Sequence, residues 1–549
     1  MPNLFCMAFL RAEKKSSGTY LRLVESYRKD KVVKHRTLYT FGKLEDFSTH
    51  QLEALGRKFL ELSGSSMENS LSAPLQELDR HNYGFPLVII GLLRKIGLDI
   101  IMNRFERSHK LSYSLFDCLV LMLCNRLQSP TSKRGIYLDQ SSYIGLPPVN
   151  LQHMYRSLSY FAKYQEWLQE YLFKQRGKLG ATKLDLVFYD VTTFYFQSEV
   201  EKDGALRQKG YGKDGKIGKT QVVFGLLVDM KGMPVGYRLY SGDTYEGHTF
   251  SDAVKLLRKQ YKIQRLVVVA DSGMMNRNNI SLFEEHQIAA DFEYIVGDRL
   301  KSLKKTAQKY LCNLENYEII TMPTPEGMMA PLRYTSMEYE GKQLVCTYSE
   351  QRAKKDAWER EKKIEKGRKM LESPGVIDQK AKHFFLKKKH ENSDQFELYT
   401  QKIENDAQFD GFLLVATNAM DLNPSQILQK YKDLYHVEHS FRTFKSFLET
   451  RPMFHWTDER IKGHLFVCYL SYYLLAHLKN TLNEDSVEVT EYKIKKILSQ
   501  MEVSKVKNGK DVFFLRSQMD EITQEILLKL KLPIFDNVLS EAKLADLMA

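Results

Sequence analysis

Three carboxylates carry the chemistry this chain could do, and each sits in a different local pattern. Glu438 lies in a helical run from Pro424 to about Glu449, seven residues after Tyr431 and seven before Lys445. At about 3.6 residues per turn, positions seven apart fall about 20° out of register, so the spacing predicts a phenol, a carboxylate and an ammonium on one helix stripe. Phe441, Phe444 and Leu448 form an adjacent apolar edge that would dock the helix on a core. Asp190 stands inside the strand-like LDLVFYDVTTFYF, and Asp271 closes RLVVVAD. Each alone has an ordinary explanation: Glu438 as a solvated charge, Asp190 as a partner of Thr192 or Thr193, Asp271 as a cap of the turn before Asn276. Brought together they would repel, because two unit charges about 4 Å apart cost roughly 4 kcal/mol at an effective dielectric near 20. A divalent cation relieves that repulsion. Oxygen-only ligation with open positions suits Mg²⁺ or Mn²⁺, and two such ions about 3.5–4 Å apart can activate water and stabilise a leaving oxygen in an in-line displacement at phosphorus.

The order of elements is what must bring these residues together. From Lys183, LDLVFYDVTTFYF, QVVFGLLVD and MPVGYRLYSG read as three strands, the last two joined by a turn over Asp229–Gly232. A helix over Thr249–Tyr261 follows, then RLVVVAD as a fourth strand and FEYIVG as a fifth. Three strands, a helix and a further strand is the order of a ribonuclease H-like α/β fold, in which the fourth strand lies parallel beside the first. That arrangement puts Asp190 and Asp271 at one edge. About 166 residues separate Asp271 from Glu438, too many for an uninterrupted fold of this type, so an inserted domain is expected. The chain then divides into a small β module (1–47), a helical, DNA-binding region (48–175), a first core part (176–300), a mainly β insertion (301–407), a second core part with the Glu438 helix (408–480) and a helical C-terminal segment (481–549) suited to subunit contact.

The spacing Tyr431, Leu434, Glu438, Lys445 resembles the catalytic-helix signature of DDE transposases from bacterial insertion sequences, in the IS-four superfamily. The text YDVTTFYF, GLLVDMKGMPVGYRLYSGDTYEGHT, VVVADSGMMNRNNI and FLLVATN resembles the same family over roughly residues 180–300 and 408–480. The resemblance implies that Asp190, Asp271 and Glu438 are the catalytic, metal-holding triad, with Tyr431 and Lys445 as contacts to the DNA end. Leu434 departs from the family, which usually has Arg there; Arg442, one turn beyond Glu438, could take that phosphate contact from another angle. The implied activity is cleavage at the element's ends and joining of the 3′ hydroxyl to target DNA, with Mg²⁺ or Mn²⁺ and no nucleotide. The implied partners are terminal inverted repeats and target DNA, bound by a homodimer at synapsis. A simple metal-dependent nuclease on the same core, or a catalytically inactive DNA-binding descendant, would share most of these features.

Composition agrees with a nucleic-acid partner. Lys and Arg outnumber Asp and Glu 81 to 68, and a pI near 9.1 makes a polyanion the first ligand to consider. Residues 351–390 hold 14 basic residues against six acidic ones, which singles out Lys362 and Lys366 as phosphate contacts. Trp358 in the same run could stack on a base extruded near the cut, although packing under its own helix is the commoner role for such a residue. Arg451 and His455, just after the Glu438 helix, are further candidates for DNA contact, as are Arg126, Lys133, Arg134 and Arg156 near helix ends. GALRQKGYGKDGKIGKT, from Gly204, reads as a mobile basic loop; lacking the G-x-x-x-x-G-K-S/T spacing, it is no nucleotide-binding loop. Six cysteines without C-x-x-C pairs argue against a zinc framework and fit a reducing cytosol; the resemblance implies a bacterial cytoplasmic location on the nucleoid. The apolar run Leu465–Leu478 is too short to span a bilayer.

Overall fold

The computed structural model describes residues 8–548 apart from 30–31, 63–74, 180–183, 185, 202–205, 212–216, 256, 258–260, 262–265, 271–291, 324–327, 373–383, 389–395 and 484–488. They fall into two compact units. The first comprises Met1–Arg80, Ser504–Leu515 and Val538–Lys543. It opens with the antiparallel sheet β1 (Ala8–Lys15), β2 (Gly18–Lys29), β3 (Val32–Lys43), as the alternating pattern predicts. Helix α1 (Thr49–Leu62) begins with a reciprocal cap: Gln51 N–H donates to Ser48 Oγ at 3.3 Å and Ser48 N–H to Gln51 Oε1 at 2.9 Å. β4 (Gln76–Asn82), within the span 48–175 expected to be helical, is instead the edge of a four-stranded sheet with Glu502–Asn508, Asp511–Arg516 and Val538–Leu539. Nothing local marks it; its partners lie more than 400 residues away, and tertiary pairing overrides its weak propensity.

The second unit comprises His81–Val503, Arg516–Asn537 and Leu544–Ala549. Five helices come first: α2 (Gly84–Lys95), α3 (Leu98–Ser108), α4 (Leu115–Gln128), α5 (Lys133–Asp139) and α6 (Leu151–Gln175). The sheet follows, built from β5 (Leu186–Tyr195), β6 (Gln208–Tyr211), β7 (Ile217–Val228) and β8 (Pro234–Ser241), then α7 (Phe250–Lys255), β9 (Leu266–Ala270) and β10 (Phe292–Asp298). β5 is central, antiparallel to β7 and parallel to β9, the order expected from the sequence. The turn between β7 and β8 closes with Gly232 N–H donating to Asp229 O at 2.9 Å, Gly232 holding φ +71° where a side chain would be strained. After the short helix α8 (Lys305–Leu311), β11 (Glu318–Pro323), β12 (Met329–Tyr339) and β13 (Lys342–Tyr348) extend this same sheet through β13, which pairs with the later strand Phe412–Thr417, itself paired with β10.

Both sheet faces are covered, because β5 and β7 are apolar on both sides. Val187, Tyr189 and Val191 of β5 pack with Phe250, Ala253, Leu257 and Leu300 on one face. On the other, Phe188 meets His436 (ring centroids 5.9 Å apart), Phe194 meets Phe444 (6.2 Å) and Phe224 meets Phe441 (6.4 Å). The long buried helix Asp458–Leu482 lies against α6, and a Cβ at Gly463 would come within 2.1 Å of Leu158 O, so only glycine lets the two helices close.

The helical run after Pro424 is not continuous. It comprises Pro424–Lys432, Tyr435–Arg442 and a π turn over Thr443–Phe447. Leu434 N–H donates to Tyr431 O at 3.2 Å and Val437 N–H to Leu434 O at 3.1 Å, tight three-residue steps; Leu448 N–H donates to Thr443 O at 2.9 Å, a wide five-residue step. The tight turn keeps Leu434 and Val437, both buried, on the sheet side. The expected single stripe of Tyr431, Glu438 and Lys445 is therefore corrected: each residue belongs to a different segment of the run.

Candidate active site

Asp190 is half-buried in the middle of β5, opposite Leu226 of β7. Side chains alternate along a strand, so Asp190 shares the face of Phe188 and Phe194, and Tyr189 faces the other core. Its Oδ1 accepts from Val191 N–H at 2.7 Å. The helix Tyr435–Arg442 crosses that same face over β5 and β7, held by the ring contacts of His436, Phe441 and, in the π turn, Phe444. Glu438, exposed, lies in the first turn of that helix. The two carboxylates thus belong to one face of the sheet, one on the strand and one on the helix laid over it.

Asp271 lies outside the described residues. The strand that leads to it is described: β9 runs parallel beside β5 and its last residue, Ala270, pairs with Tyr189, the residue before Asp190. Among the described residues no group of three His, Cys, Asp or Glu side chains is spaced to hold a metal ion.

The candidate DNA contacts are spread around this face. Tyr431 lines a cleft of about 890 Å³ with Arg299, Lys301, Arg360 and Lys363. Arg442 is exposed at the end of the Glu438 helix and Lys445 is half-buried in the π turn. Arg451 stacks its guanidinium 5.2 Å from the centre of the Tyr195 ring. Its segment is tied to the end of β5 by Met453 N–H to Tyr195 O and Gln197 N–H to Met453 O, each at 3.0 Å. His455 is only half-buried, yet desolvation and the neighbouring Lys133, Arg460 and Arg126 push its pKa down to about 3. A neutral imidazole at pH 7 contacts phosphate only as a hydrogen-bond donor, which narrows the role expected of it. Lys362 and Lys366 are exposed on the helix Glu350–Glu372. Trp358 is 58% exposed rather than packed beneath that helix, with Lys362 Nζ 3.5 Å from its ring centre.

Three basic residues behave differently from their sequence reading. Arg207, placed in a mobile loop, is buried with its guanidinium between Phe196 and Trp456, 4.6 and 4.4 Å from their centres, and it donates to Ser198 O at 3.0 Å and His455 O at 3.3 Å. It pins the segment that follows the Glu438 helix. Arg126 and Lys133, offered with Arg134 and Arg156 as DNA contacts near helix ends, are buried, whereas Arg134 and Arg156 are exposed. For Arg126 the signal was present: it falls four residues after Met122 and seven after Leu119, on the apolar face of α4.

A family model described as "Transposase DDE domain" matches residues 182–474, more than half of the chain. This chain belongs to the DDE transposases. A second model, "IS1634 family transposase, N-terminal domain", matches residues 10–63 of the transposase, the span of its three-stranded sheet and α1. A solved structure, "Cryo-EM structure of piggyBac transposase synaptic complex with hairpin DNA (SNHP)", is similar at 9% identity and a TM-score of 0.38, covering 86% of this chain and 87% of that one. No curated protein matches. The matched span of the transposase runs from the approach to β5 into the helix Asp458–Leu482 and so takes in Asp190, Asp271 and Glu438. Among the described residues, no helix is long and apolar enough to cross a membrane.

Proposed function

We propose that this transposase cuts DNA at the ends of an insertion sequence and joins the freed 3′ hydroxyls to target DNA by divalent-metal-dependent transesterification. The observation that carries the reading is the placement of Asp190 on the central strand and Glu438 on the helix laid over the same face. The strand order around β5 supports a ribonuclease H-like core, and the signature of the helix supports the IS-four group. Asp190, Glu438 and, by resemblance, Asp271 form the catalytic set. The donor set fits a hard cation, since it is oxygen-only and anionic, and Mg²⁺ or Mn²⁺ would supply charge stabilisation at the phosphate and a more acidic water. The chain's own residues do the rest. Asp190 is fixed by its strand; Arg442, Lys445 and Arg451 hold backbone phosphates near the carboxylates; Tyr431 and the exposed Lys362 and Lys366 lie farther along the DNA. One phosphodiester replaces another, so neither a nucleotide nor a covalent protein intermediate is needed. The enzyme works as a homodimer at synapsis, in the bacterial cytoplasm on the nucleoid.

The test is incubation of the full chain with Mg²⁺, a duplex carrying the element's terminal repeat and a target plasmid. Joined 3′ ends in the target are expected. Cleavage that only ever ends in hydrolysis would replace transposition with a simple nuclease, and binding without cleavage would mark an inactive descendant.

A further inference from the structure

A cavity of about 480 Å³ lies beside the segment that follows the Glu438 helix. Its lining includes Arg126, Lys133, Arg451, Arg460, His455 and His464, against a single carboxylate, Glu449. Lys133 is 3% exposed, and among the described residues no hydrogen bond or ion pair reaches it. A buried ammonium without a partner is costly, and charged side chains are almost never fully buried unless paired. The position makes matters worse, since Lys133 is the first residue of α5, where the helix end is itself positive. Arg126 does not offset it: its Nη1 donates to Leu448 O at 3.0 Å and Glu449 O at 3.4 Å, and its charge adds to the excess. Thr450 Oγ1, in the same lining, is buried without a hydrogen-bond partner. Glu449 holds φ +41°, so the backbone that shapes this wall is in a conformation a non-glycine residue rarely adopts. All of this describes a place built for an anion.

We propose that this cavity is a phosphate subsite, in which Lys133, with Arg451 and Arg460 at its mouth, receives one backbone phosphate of the bound DNA strand. The inference rests on the transposase reading for the identity of the strand and on the cavity alone for the phosphate. The segment that lines the cavity is hydrogen-bonded to the end of β5, and Tyr195 there lies about 17 Å along the strand from Asp190, close enough for one strand to reach both. Phe454 and Trp456, 66% and 56% exposed and part of the same lining, present rings on which a neighbouring base can stack.

Burial, then the neighbouring Arg126, pushes the Lys133 pKa down to about 7; His455 and His464 are held neutral by burial and the same cations. The empty cavity at pH 8 therefore holds mostly uncharged Lys133, and an arriving phosphate restores its proton. Calorimetric titration of the full chain in EDTA at pH 8, in two buffers of different ionisation enthalpy, measures that uptake directly. The probes are inorganic phosphate and the terminal-repeat duplex. Wild type should take up a proton approaching one per site with each probe, phosphate should compete with the duplex at the subsite, and Lys133→Met should lose the uptake and about tenfold in affinity. Lys133→Arg should keep the affinity without the uptake, because guanidinium is always charged. Should either variant fail to fold, the wild type suffices: replacing successive backbone phosphates of the duplex by neutral methylphosphonates should abolish the uptake at one position. Uptake with phosphate but none with the duplex would assign the site to free phosphate and overturn the DNA subsite. Unchanged affinity and uptake in Lys133→Met, or uptake indifferent to every methylphosphonate, would overturn it as well. Because no metal is present, these outcomes are independent of whether the enzyme cleaves.

Discussion

The helix Glu350–Glu372 and the cavity around Lys133 both gather positive charge, and they differ in what surrounds it. On the helix only Ile364 and Gly367 are buried, and its cations are matched by its own acids: Lys369 with Glu365 at 3.1 Å, Arg368 with Glu361 at 3.5 Å, Lys355 with Glu359 at 3.9 Å. Arg360 reaches off the helix to Asp410 in a two-point pair. Exposed pairs of this kind are worth about 0–1 kcal/mol, so such a helix keeps its charges available to an outside polyanion at little cost. In the cavity Arg126 and Lys133 are buried, and a single carboxylate, Glu449, shares the lining. Counting charge along the sequence finds the first region and misses the second, because burial, not number, is what turns a cation into a demand for a ligand.

If both cationic regions serve binding, chemistry belongs to the carboxylates. Asp190→Asn and Glu438→Gln should each lower cleavage on the order of 10³-fold while leaving duplex affinity within about twofold. Affinity falling in step with cleavage in a folded variant would break the division. A smaller effect separates the cavity from the helix by pH. The unfolded chain holds the Lys133 proton to above pH 10, whereas the folded protein releases it near 7. Between these values the unfolded state binds more protons, so Lys133 destabilises the fold fully below about pH 7 and the penalty fades as pH rises. Denaturant unfolding should show this as a gain of up to about 1 kcal/mol per pH unit, absent in Lys133→Met and retained in Lys366→Gln. The same slope in both variants would remove Lys133 from the account. Smallest is the effect of the helix. Neutralising Lys362 and Lys366 should flatten the plot of log affinity against log salt by up to about 0.9 per lost contact, with cleavage at saturating DNA unchanged. An unaltered slope would leave that helix a solvated face.

The sheet was legible because its strands are buried on both sides and read as dense runs such as LVFYDVTTFY and QVVFGLLV, and the β7–β8 turn carries its own Asp and Gly. Helix starts were legible where a cap is written locally, as with Thr457 accepting from Arg460 N–H. What was hidden depends on distant partners. β4 pairs with strands near the C-terminus; the tight and wide turns flanking Glu438 follow from seating Leu434, Val437 and Phe444 on the sheet. Of the candidate site, the place of Asp190 on a strand between β7 and β9 and of Glu438 on a helix was legible in the order and pattern of the elements. The burial of Arg207 and Lys133 was not, since a lysine at a helix start carries no mark of what will close over it.

The central claim is that Asp190 and Glu438 serve one metal site, and a Mg²⁺ titration of unfolding tests it most directly. Without the ion the gathered carboxylates repel, so Mg²⁺ at about 100 times its dissociation constant should stabilise the wild-type chain by about 2.7 kcal/mol. Asp190→Asn and Glu438→Gln should each abolish most of that gain. A gain that survives intact in either variant, or none in wild type, would contradict a shared site.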